Sequence, residues 1–287
     1  MLLDQGADGE STIEFTRESE RNYGQAVTNE FYASESDELD AAVKAAAELI
    51  DKAENVTVLT GAGISTDSRI PDYRGPQGVW TKDPKAEKQA TIQNYLADPE
   101  VRVAAWRTRL DSPVWAAEAN PGHRSLLRLE KRNKLQTLIT QNVDGLHHDA
   151  GSKPEKIVEV HGSVREVVCM SCDYRAPMSV ALDRVRQGES DPQCLNCQGI
   201  LKSATISFGQ SLIEADIERA FTAAAECDLL LAIGSTLAVF PVARVVPIAK
   251  SVGAKIVIVN GSPTEMDDLA DVMVMGSISD VLPRMLG

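Results

Sequence analysis

Residues 140–163 read TQNVDGLHHDAGSKPEKIVEVHGS, and this stretch decides how the chain folds. The apolar run at 135–139 and the shorter run at 157–160 each predict a buried strand. In a parallel sheet the carboxyl ends of both strands meet at one edge, where open α/β folds bind ligands. The polar side chains that follow these runs are those of Gln141, Asn142, Asp144 and His161. The stretch therefore predicts a ligand site at the edge of a parallel sheet.

The same alternation of strand and helix continues along the chain. Ala- and Leu-rich helical stretches separate several further β-like runs, which predicts an α/β fold with a doubly wound, Rossmann-like parallel sheet. These further runs are at residues 56–60, 205–208, 228–233, 255–260 and 272–275.

Two segments interrupt this pattern and predict the domain organisation. Residues 84–132 read as helices and residues 167–201 carry cysteines, so we expect both insertions to form one smaller helical and zinc-binding module. Residues 1–36 are acidic and lack apolar periodicity, which predicts a disordered tail. The remaining ranges, expected to form the dinucleotide-binding domain, are 37–83, 133–166 and 202–287.

The net charge of this 287-residue chain is −13, which argues against a nucleic-acid partner because phosphate contacts need clustered Lys and Arg. An acidic surface suits cationic, lysine-bearing protein segments, or it only keeps the protein dissolved. The N-terminus has no basic, apolar export signal, and the longest apolar stretch, 229–243, is too short to span a bilayer. We therefore expect a cytoplasmic protein without a membrane segment.

The turn Gly61-Ala62-Gly63 follows the first predicted strand and precedes a helical stretch. A backbone without a Cβ lets amide groups approach a pyrophosphate closely. The next residues supply no third glycine, which the full dinucleotide fingerprint requires. The motif thus fits either a phosphate-binding turn or a tight strand-to-helix turn without a ligand.

Four of the five cysteines form two Cys-x-x-Cys pairs separated by 21 residues, Cys169/Cys172 and Cys194/Cys197. This spacing fits a tetrahedral, four-thiolate zinc site, which is structural because it leaves no open coordination position. A disulfide framework is the alternative, but a cytoplasmic location and the leftover Cys227 argue against it. Cys227 precedes a predicted strand and fits a core position.

His161, at the end of a predicted strand, is the candidate general base. An imidazole titrates near neutrality, which suits removal of a proton from a hydroxyl group. The alternative is an ordinary hydrogen-bonded histidine at a strand end. Asn142 and Asp144 likewise suit either ligand contacts or the N-cap of the helix that follows. His147 and His148 receive no role.

Five motifs occur together in one order, and with them the chain resembles the sirtuins, a family of NAD-dependent protein deacylases. They are GAGIS at 61–65, PDYRG at 71–75, QNVDGLH at 141–147, HGS at 161–163 and the two cysteine pairs. The resemblance implies transfer of an acyl group from a protein lysine to NAD, giving nicotinamide and O-acyl-ADP-ribose. It also implies one structural zinc ion.

The resemblance further implies the roles of individual residues. His161 is expected to be the general base and Asn142 to act with it at the nicotinamide ribose. Asn260 and Ile278 also fit a turn asparagine and a core isoleucine. The implied cofactor contacts are Gly61, Ala62, Gly63, Ile64, Ser65, Tyr73, Arg74, Gln141, Asn142, Asp144, Gly234, Ser235, Thr236, Asn260 and Ile278. An acylated-lysine peptide is expected as an added strand between two segments, Phe208-Gly209 and Leu237-Ala238-Val239.

Some positions depart from the family pattern. Arg69 stands where glycine is usual, which suggests a positive φ there. The alternatives are a loop that follows another path, with Arg69 in solvent, and a guanidinium group that pairs with the pyrophosphate. Ser203 and Gln210 replace proline and glutamate. The tyrosine in PDYRG resembles a branch for which transfer of ADP-ribose to protein has been proposed. A non-catalytic NAD-binding zinc scaffold is the second alternative. The sequence leaves the acyl group and the oligomeric state open.

Overall fold

The computed structural model describes residues 36–72, 78, 82 and 91–287. The predicted tail, up to residue 35, and the predicted cofactor contacts Tyr73 and Arg74 lie outside the described residues. Contacts within the chain divide it into two units, Met1–Ala41 and Ala42–Gly287. Residues 36–41 of the first unit are helical, and both sheets and the candidate site belong to the second.

The strands of the described chain form two separate sheets. Six strands pair in parallel in the order β3-β2-β1-β7-β8-β9, and three pair antiparallel in the order β5-β4-β6. The strands are β1 Val56–Thr60, β2 Leu135–Thr140, β3 Ile157–Glu159, β4 Gly162–Cys169, β5 Arg175–Pro177, β6 Leu201–Thr205, β7 Leu229–Ile233, β8 Lys255–Asn260 and β9 Val272–Met275. The predicted doubly wound parallel sheet and the smaller cysteine-bearing module are confirmed, whereas the strand predicted at 205–208 is not part of the parallel sheet.

Three helices of the second unit begin at strong local signals. Thr91 and Asp98 cap two of them through their side chains, and proline at the first helical position follows Asp98 and Asn120. The helices are α1 at residues 42–52, α2 Ile92–Ala97, α3 Pro99–Leu110, α4 Pro121–Lys131, α5 Leu146–Ala150, α6 Met178–Arg186, α7 Glu214–Glu226, α8 Val245–Ser251 and α9 Ile278–Leu286. Within the described ranges, no helix has both the length and the apolar content to cross a bilayer.

The main core lies against one face of the parallel sheet. Ile139, Leu59, Ala232 and Ile258 are neighbours across four strands and pack with residues of α7 and α8 in one buried cluster. The alternate row, which includes Val58 on the opposite face, is buried as well. A parallel sheet buried on both faces explains why its strands read as continuous apolar runs rather than as alternating patterns.

The small sheet and α3 share a second core. Trp106 of α3 is fully buried among Val167, Leu201 and residues of α6. The Tyr95 hydroxyl group donates to the carbonyl of Leu201 over 2.7 Å. These contacts join α2 and α3 to the cysteine-bearing segment.

Two predicted domain boundaries need correction. Residues 162–166 and 202–205, assigned to the dinucleotide-binding domain, pair in the small sheet. Helix α4, assigned to the small module, packs against α9 instead, and Arg128 donates to the carbonyl of Pro283 over 2.8 Å. Local pattern could not show these pairings, because each depends on residues distant in the sequence.

Candidate active site

The candidate site lies where the strand order reverses. β1 is flanked by β2 on one side and β7 on the other, so the crevice at their carboxyl ends is the switch point at which such sheets bind ligands. Gly61 follows β1, Gln141 follows β2 and Gly234 follows β7. All three loops therefore meet at one edge.

Gly61 and Gly63 are required in the first turn because its backbone packs directly against the backbone of Gly234. A Cβ on Gly61 would lie 2.7 Å from the Gly234 carbonyl oxygen, and one on Gly63 would lie 2.8 Å from the Gly234 Cα. The Gly63 amide donates to the same carbonyl over 2.8 Å. Gly234 itself has φ +64 and no room for a Cβ. The tight-turn interpretation thus explains these glycines, and a nearby phosphate site is compatible with it.

Ser65 is the centre of a buried hydrogen-bond network. Its hydroxyl group donates to Asp144 Oδ2 over 2.8 Å and accepts from Asn142 Nδ2 over 3.1 Å. His123 Nδ1 accepts the Asn120 amide, so in this neutral tautomer Nε2 donates to Ser65 Oγ over 3.4 Å. Burial lowers the pKa of His123 to about 4, although the Asp144 carboxylate acts in the opposite direction. Asn142 and Asp144 are therefore held by a neutral, oriented scaffold.

Asn142 and Asp144 also make the local contacts expected of turn residues. Asn142 Nδ2 donates to the Gly61 carbonyl over 3.0 Å, and Asp144 Oδ1 accepts the Leu146 amide at the start of α5 over 2.9 Å. Both side chains are more than nine-tenths buried. The N-cap of α5 is Gly145, so Asp144 accepts the first helical amide from the preceding position, and each of its carboxylate oxygens keeps a second lone pair for a ligand.

His161 stands where the chain passes from the parallel sheet into the small sheet. Its Nδ1 lies 3.0 Å from the carbonyl oxygen of Gln141. A carbonyl can only accept, so Nδ1 carries the hydrogen and Nε2 is the basic nitrogen of the neutral ring. The Gln141 amide donates to Thr60 and its side chain donates to Ser235 Oγ over 2.9 Å, so the group that orients His161 is itself held.

Four other expected cofactor contacts lie among the described residues, namely Ile64, Thr236, Asn260 and Ile278. Ile64 is buried and its carbonyl accepts Asn120 Nδ2, while the Thr236 carbonyl accepts the Glu265 amide. Asn260 ends β8 and donates to the Ser262 carbonyl over 2.7 Å, as a turn asparagine does. The side chain of Ile278 is buried at the start of α9. Asn260 and Ile278 therefore have structural roles of their own.

In the two segments expected to flank a peptide, some main-chain groups already form hydrogen bonds within the chain. The Phe208 carbonyl accepts the Ile92 amide and the Val239 carbonyl accepts the Ala243 amide. Gly209 has φ +77 and Leu237 φ +56, so both depart from regular strand geometry. Ala238, next to Val239 in the chain, is exposed. An added strand would have to pair with the other main-chain groups.

The four cysteines Cys169, Cys172, Cys194 and Cys197 converge in the small module. Their sulfur atoms all lie within 4.8 Å of one another, and two of the separations are 3.5 and 3.6 Å. A zinc ion with bonds of about 2.3 Å to a tetrahedron of sulfurs sets them about 3.8 Å apart. The cluster therefore fits a structural zinc, and none of the four cysteines forms a disulfide.

Three residues of the site were missed by reasoning from the sequence. Asn120 joins α4 to the first turn, His147 Nε2 lies 2.9 Å from Thr60 Oγ1, and Arg165 Nε donates to the Asp144 carbonyl over 3.0 Å. The sequence NPGH at 120–123 carried a signal for the first, an N-cap followed by proline. For the other two the partners lie in distant elements, and no local signal exists.

The parallel sheet, the crevice at its switch point and the separate thiolate cluster define a Rossmann-like protein with a metal-bearing module. A model of the Sir2 family matches residues 61–241, more than half of the chain, and the protein belongs to that family.

Curated and solved relatives agree with this assignment. NAD-dependent protein deacetylase 2 of Streptomyces coelicolor is 45% identical over 231 residues, which cover 80% of this chain and 96% of that protein. A solved structure of Sir2 enzymes matches with a TM-score of 0.77 and 34% identity, covering 86% of this chain and 97% of that one. A Sir2 complex with a deacetylated p53 peptide and 3′-O-acetyl ADP ribose matches with a TM-score of 0.78 and 30% identity, covering 85% and 96%.

Proposed function

We propose that His161 is the general base of this NAD-dependent protein deacylase. The observation that carries the proposal is the hydrogen bond from His161 Nδ1 to the Gln141 carbonyl, which makes Nε2 the proton-accepting atom. A base with a fixed tautomer needs no rearrangement before it accepts a proton. The protein is a deacetylase or deacylase of the sirtuin family. His161 stands in the HGS motif, at the position where the family has its general base.

We assign the nicotinamide end of NAD to the network around Ser65. Asn142 would face the ribose, and Asp144 would accept hydrogen bonds from the carboxamide with its remaining lone pairs. This assignment is supported by the burial of both polar side chains and by their orientation through hydrogen bonds to the neutral Ser65. When bound, NAD supplies the ribose that takes up the acyl group as nicotinamide leaves. The protein orients the groups and holds the proton at His161 Nε2.

We assign the other end of NAD to the loops after β7 and β8. Gly234, Ser235 and Thr236 follow β7 at the switch point, and Asn260 follows β8. Small and hydroxyl-bearing residues there suit contacts with phosphate and ribose oxygens. Gly61, Ala62, Gly63 and Ile64 line the same edge, and the roles of Tyr73, Arg74 and Ile278 stay predictions.

We propose that the substrate is an acylated lysine in a protein segment. A related Sir2 structure holds a deacetylated peptide together with an acetylated ADP-ribose. In this chain Phe208-Gly209 and Leu237-Ala238-Val239 would receive the segment as an added strand, with recognition mainly through main-chain groups. Selectivity for sequence should therefore be modest. We also propose that the protein is located in the cytoplasm.

The test is His161→Ala, with His148→Ala as a matched control. His148 lies on α5 and its Nε2 is 3.7 Å from Glu159 Oε2, away from the Gln141 carbonyl. We expect His161→Ala to slow deacylation of an acetyl-lysine peptide by on the order of 100-fold or more, with NAD affinity by calorimetry largely unchanged. His148→Ala should keep most of its activity.

Three outcomes would contradict the proposal. Deacylation by His161→Ala at the wild-type rate would show that His161 is not the general base. Mass analysis that finds ADP-ribose attached to the peptide, rather than loss of the acetyl group, would favour the ADP-ribosyltransferase. Absence of nicotinamide release from NAD in the presence of the acetyl-lysine peptide would favour the non-catalytic scaffold.

A further inference from the structure

Strand β4 holds the turn that carries Asp144. The Val164 amide donates to the Val143 carbonyl over 2.9 Å, and Arg165 Nε donates to the Asp144 carbonyl over 3.0 Å. Both donors are in β4, which belongs to the small sheet. The turn therefore takes its position from the small sheet as well as from β2.

Arg165 closes a ring of hydrogen bonds around this turn. Besides its bond to Asp144, its two terminal nitrogens both donate to the Asp149 carboxylate in α5. The Asp149 amide in turn donates to the Gly145 carbonyl over 3.2 Å. A planar guanidinium group can make all three bonds at once, whereas an ammonium group cannot reproduce this fork.

Gly145 shows how closely Arg165 packs on the turn. Its φ is +74, and a Cβ at this position would lie 2.2 Å from Arg165 Nε. Glycine is thus required both by the left-handed backbone and by the guanidinium group above it. The next amide, that of Leu146, donates to Asp144 Oδ1, so the direction of this carboxylate depends on the same turn.

The pair of Arg165 and Asp149 adds little to stability. The two side chains are 42% and 39% exposed, and ion pairs that are this exposed contribute little to the free energy of unfolding. Its consequence is positional, because the ring fixes the turn on which Asp144 stands. His161 immediately precedes β4, so one strand carries the base and holds the turn of Asp144.

We infer that Arg165 is a positioning residue that aims the Asp144 carboxylate at the nicotinamide end of NAD. This inference rests on the proposed function of Asp144. Arg165 acts through Asp144 and does not itself contact the reacting atoms. Loss of its fork should weaken binding of NAD and of the product nicotinamide together, without a matching loss in kcat.

The test is Arg165→Lys, which keeps the charge and removes the fork. We expect the KM for NAD and the inhibition constant of nicotinamide to rise together by about threefold to tenfold, the effect of one hydrogen bond, with kcat within about twofold. The control is Arg175→Lys, in the same small sheet, because Arg175 forms an exposed pair with Glu166. All three constants should be unchanged in this control.

Asp144→Asn separates failure of the inference from failure of the proposed function. If Asp144→Asn leaves both NAD and nicotinamide constants unchanged, the proposed role of Asp144 is wrong and the inference falls with it. If Asp144→Asn changes them and Arg165→Lys does not, only the positioning role is wrong. A lower melting temperature of Arg165→Lys with unchanged nicotinamide inhibition would show that Arg165 only stabilises the fold.

Discussion

Gly162→Ala tests whether the backbone after His161 sets the position of the base. Gly162 has φ +73, and a Cβ there would lie 2.0 Å from the Ala204 carbonyl oxygen in β6. The left-handed backbone alone costs an alanine about 1 kcal/mol. Ordinary contact begins at 3.4 Å, so the two backbones must also separate by about 1.4 Å, the difference between these distances.

This separation would displace His161, the proposed general base. The His161 carbonyl accepts the Ile206 amide over 2.8 Å, so β6 cannot move away without shifting His161. A displacement of about 1 Å costs a catalytic group on the order of 100-fold in rate. We therefore expect Gly162→Ala to lower kcat by about this factor and to lower the melting temperature by several degrees, with NAD affinity largely retained.

The matched control is Gly188→Ala at the end of α6. Gly188 has φ +100 with nothing within 4 Å of the added Cβ, so the variant carries the backbone strain without the contact. It should lose about 1 kcal/mol of stability and no activity. Peptide deacylation, calorimetric NAD titration and thermal melts measure all three quantities. A folded Gly162→Ala with wild-type kcat would refute the reasoning.

Three further predictions concern the metal, the first loop and pH. Cys194→Ser should lower bound zinc below one ion per chain in metal analysis and destabilise the small module. The control Cys227→Ser changes a cysteine outside the cluster and should keep its zinc. Wild-type protein purified without zinc would contradict this prediction. Arg69 has φ +65, one of the geometries that the sequence left open. Arg69→Gly should therefore remove about 1 kcal/mol of strain and lower the KM for NAD by up to about fivefold. A salt-sensitive rise would instead indicate a phosphate contact. Burial, followed by the Asp144 charge, raises the pKa of Glu159 to about 7. Since the folded protein then binds this proton more tightly than the unfolded chain, stability should fall on the order of 2 kcal/mol as pH rises from about 4.5 through 7. Urea unfolding of Glu159→Gln should show a weaker decline, and an identical pH profile would contradict the assignment.

Several features could be predicted because they depend on neighbours in the chain. Continuous apolar runs predicted the parallel strands, since a strand buried on both faces needs no alternation. Gln141, Asn142, Asp144 and His161 stood out because each follows such a run. The cysteine cluster was predictable because ligand spacing within each pair is local.

Other features depend on pairs of residues that only folding brings together. The sequence indicated neither the small-sheet pairing of residues 162–166 and 202–205 nor the packing of α4 on α9, because pairing partners leave no trace in local periodicity. Gly162 could be noted as part of a motif, but its necessity comes from a carbonyl oxygen 42 residues further along the chain.

The sequence by itself thus determined the strands of the parallel sheet, where polar side chains follow them and which cysteines cluster. Tertiary structure alone decided how those side chains are aimed. The tautomer of His161, the orientation of Ser65 by His123 and the hold of Arg165 on the Asp144 turn each join elements that are distant in the chain. The physical reason is that hydrogen-bond direction depends on both partners' positions to within a fraction of an ångström, and only the packed structure sets those positions.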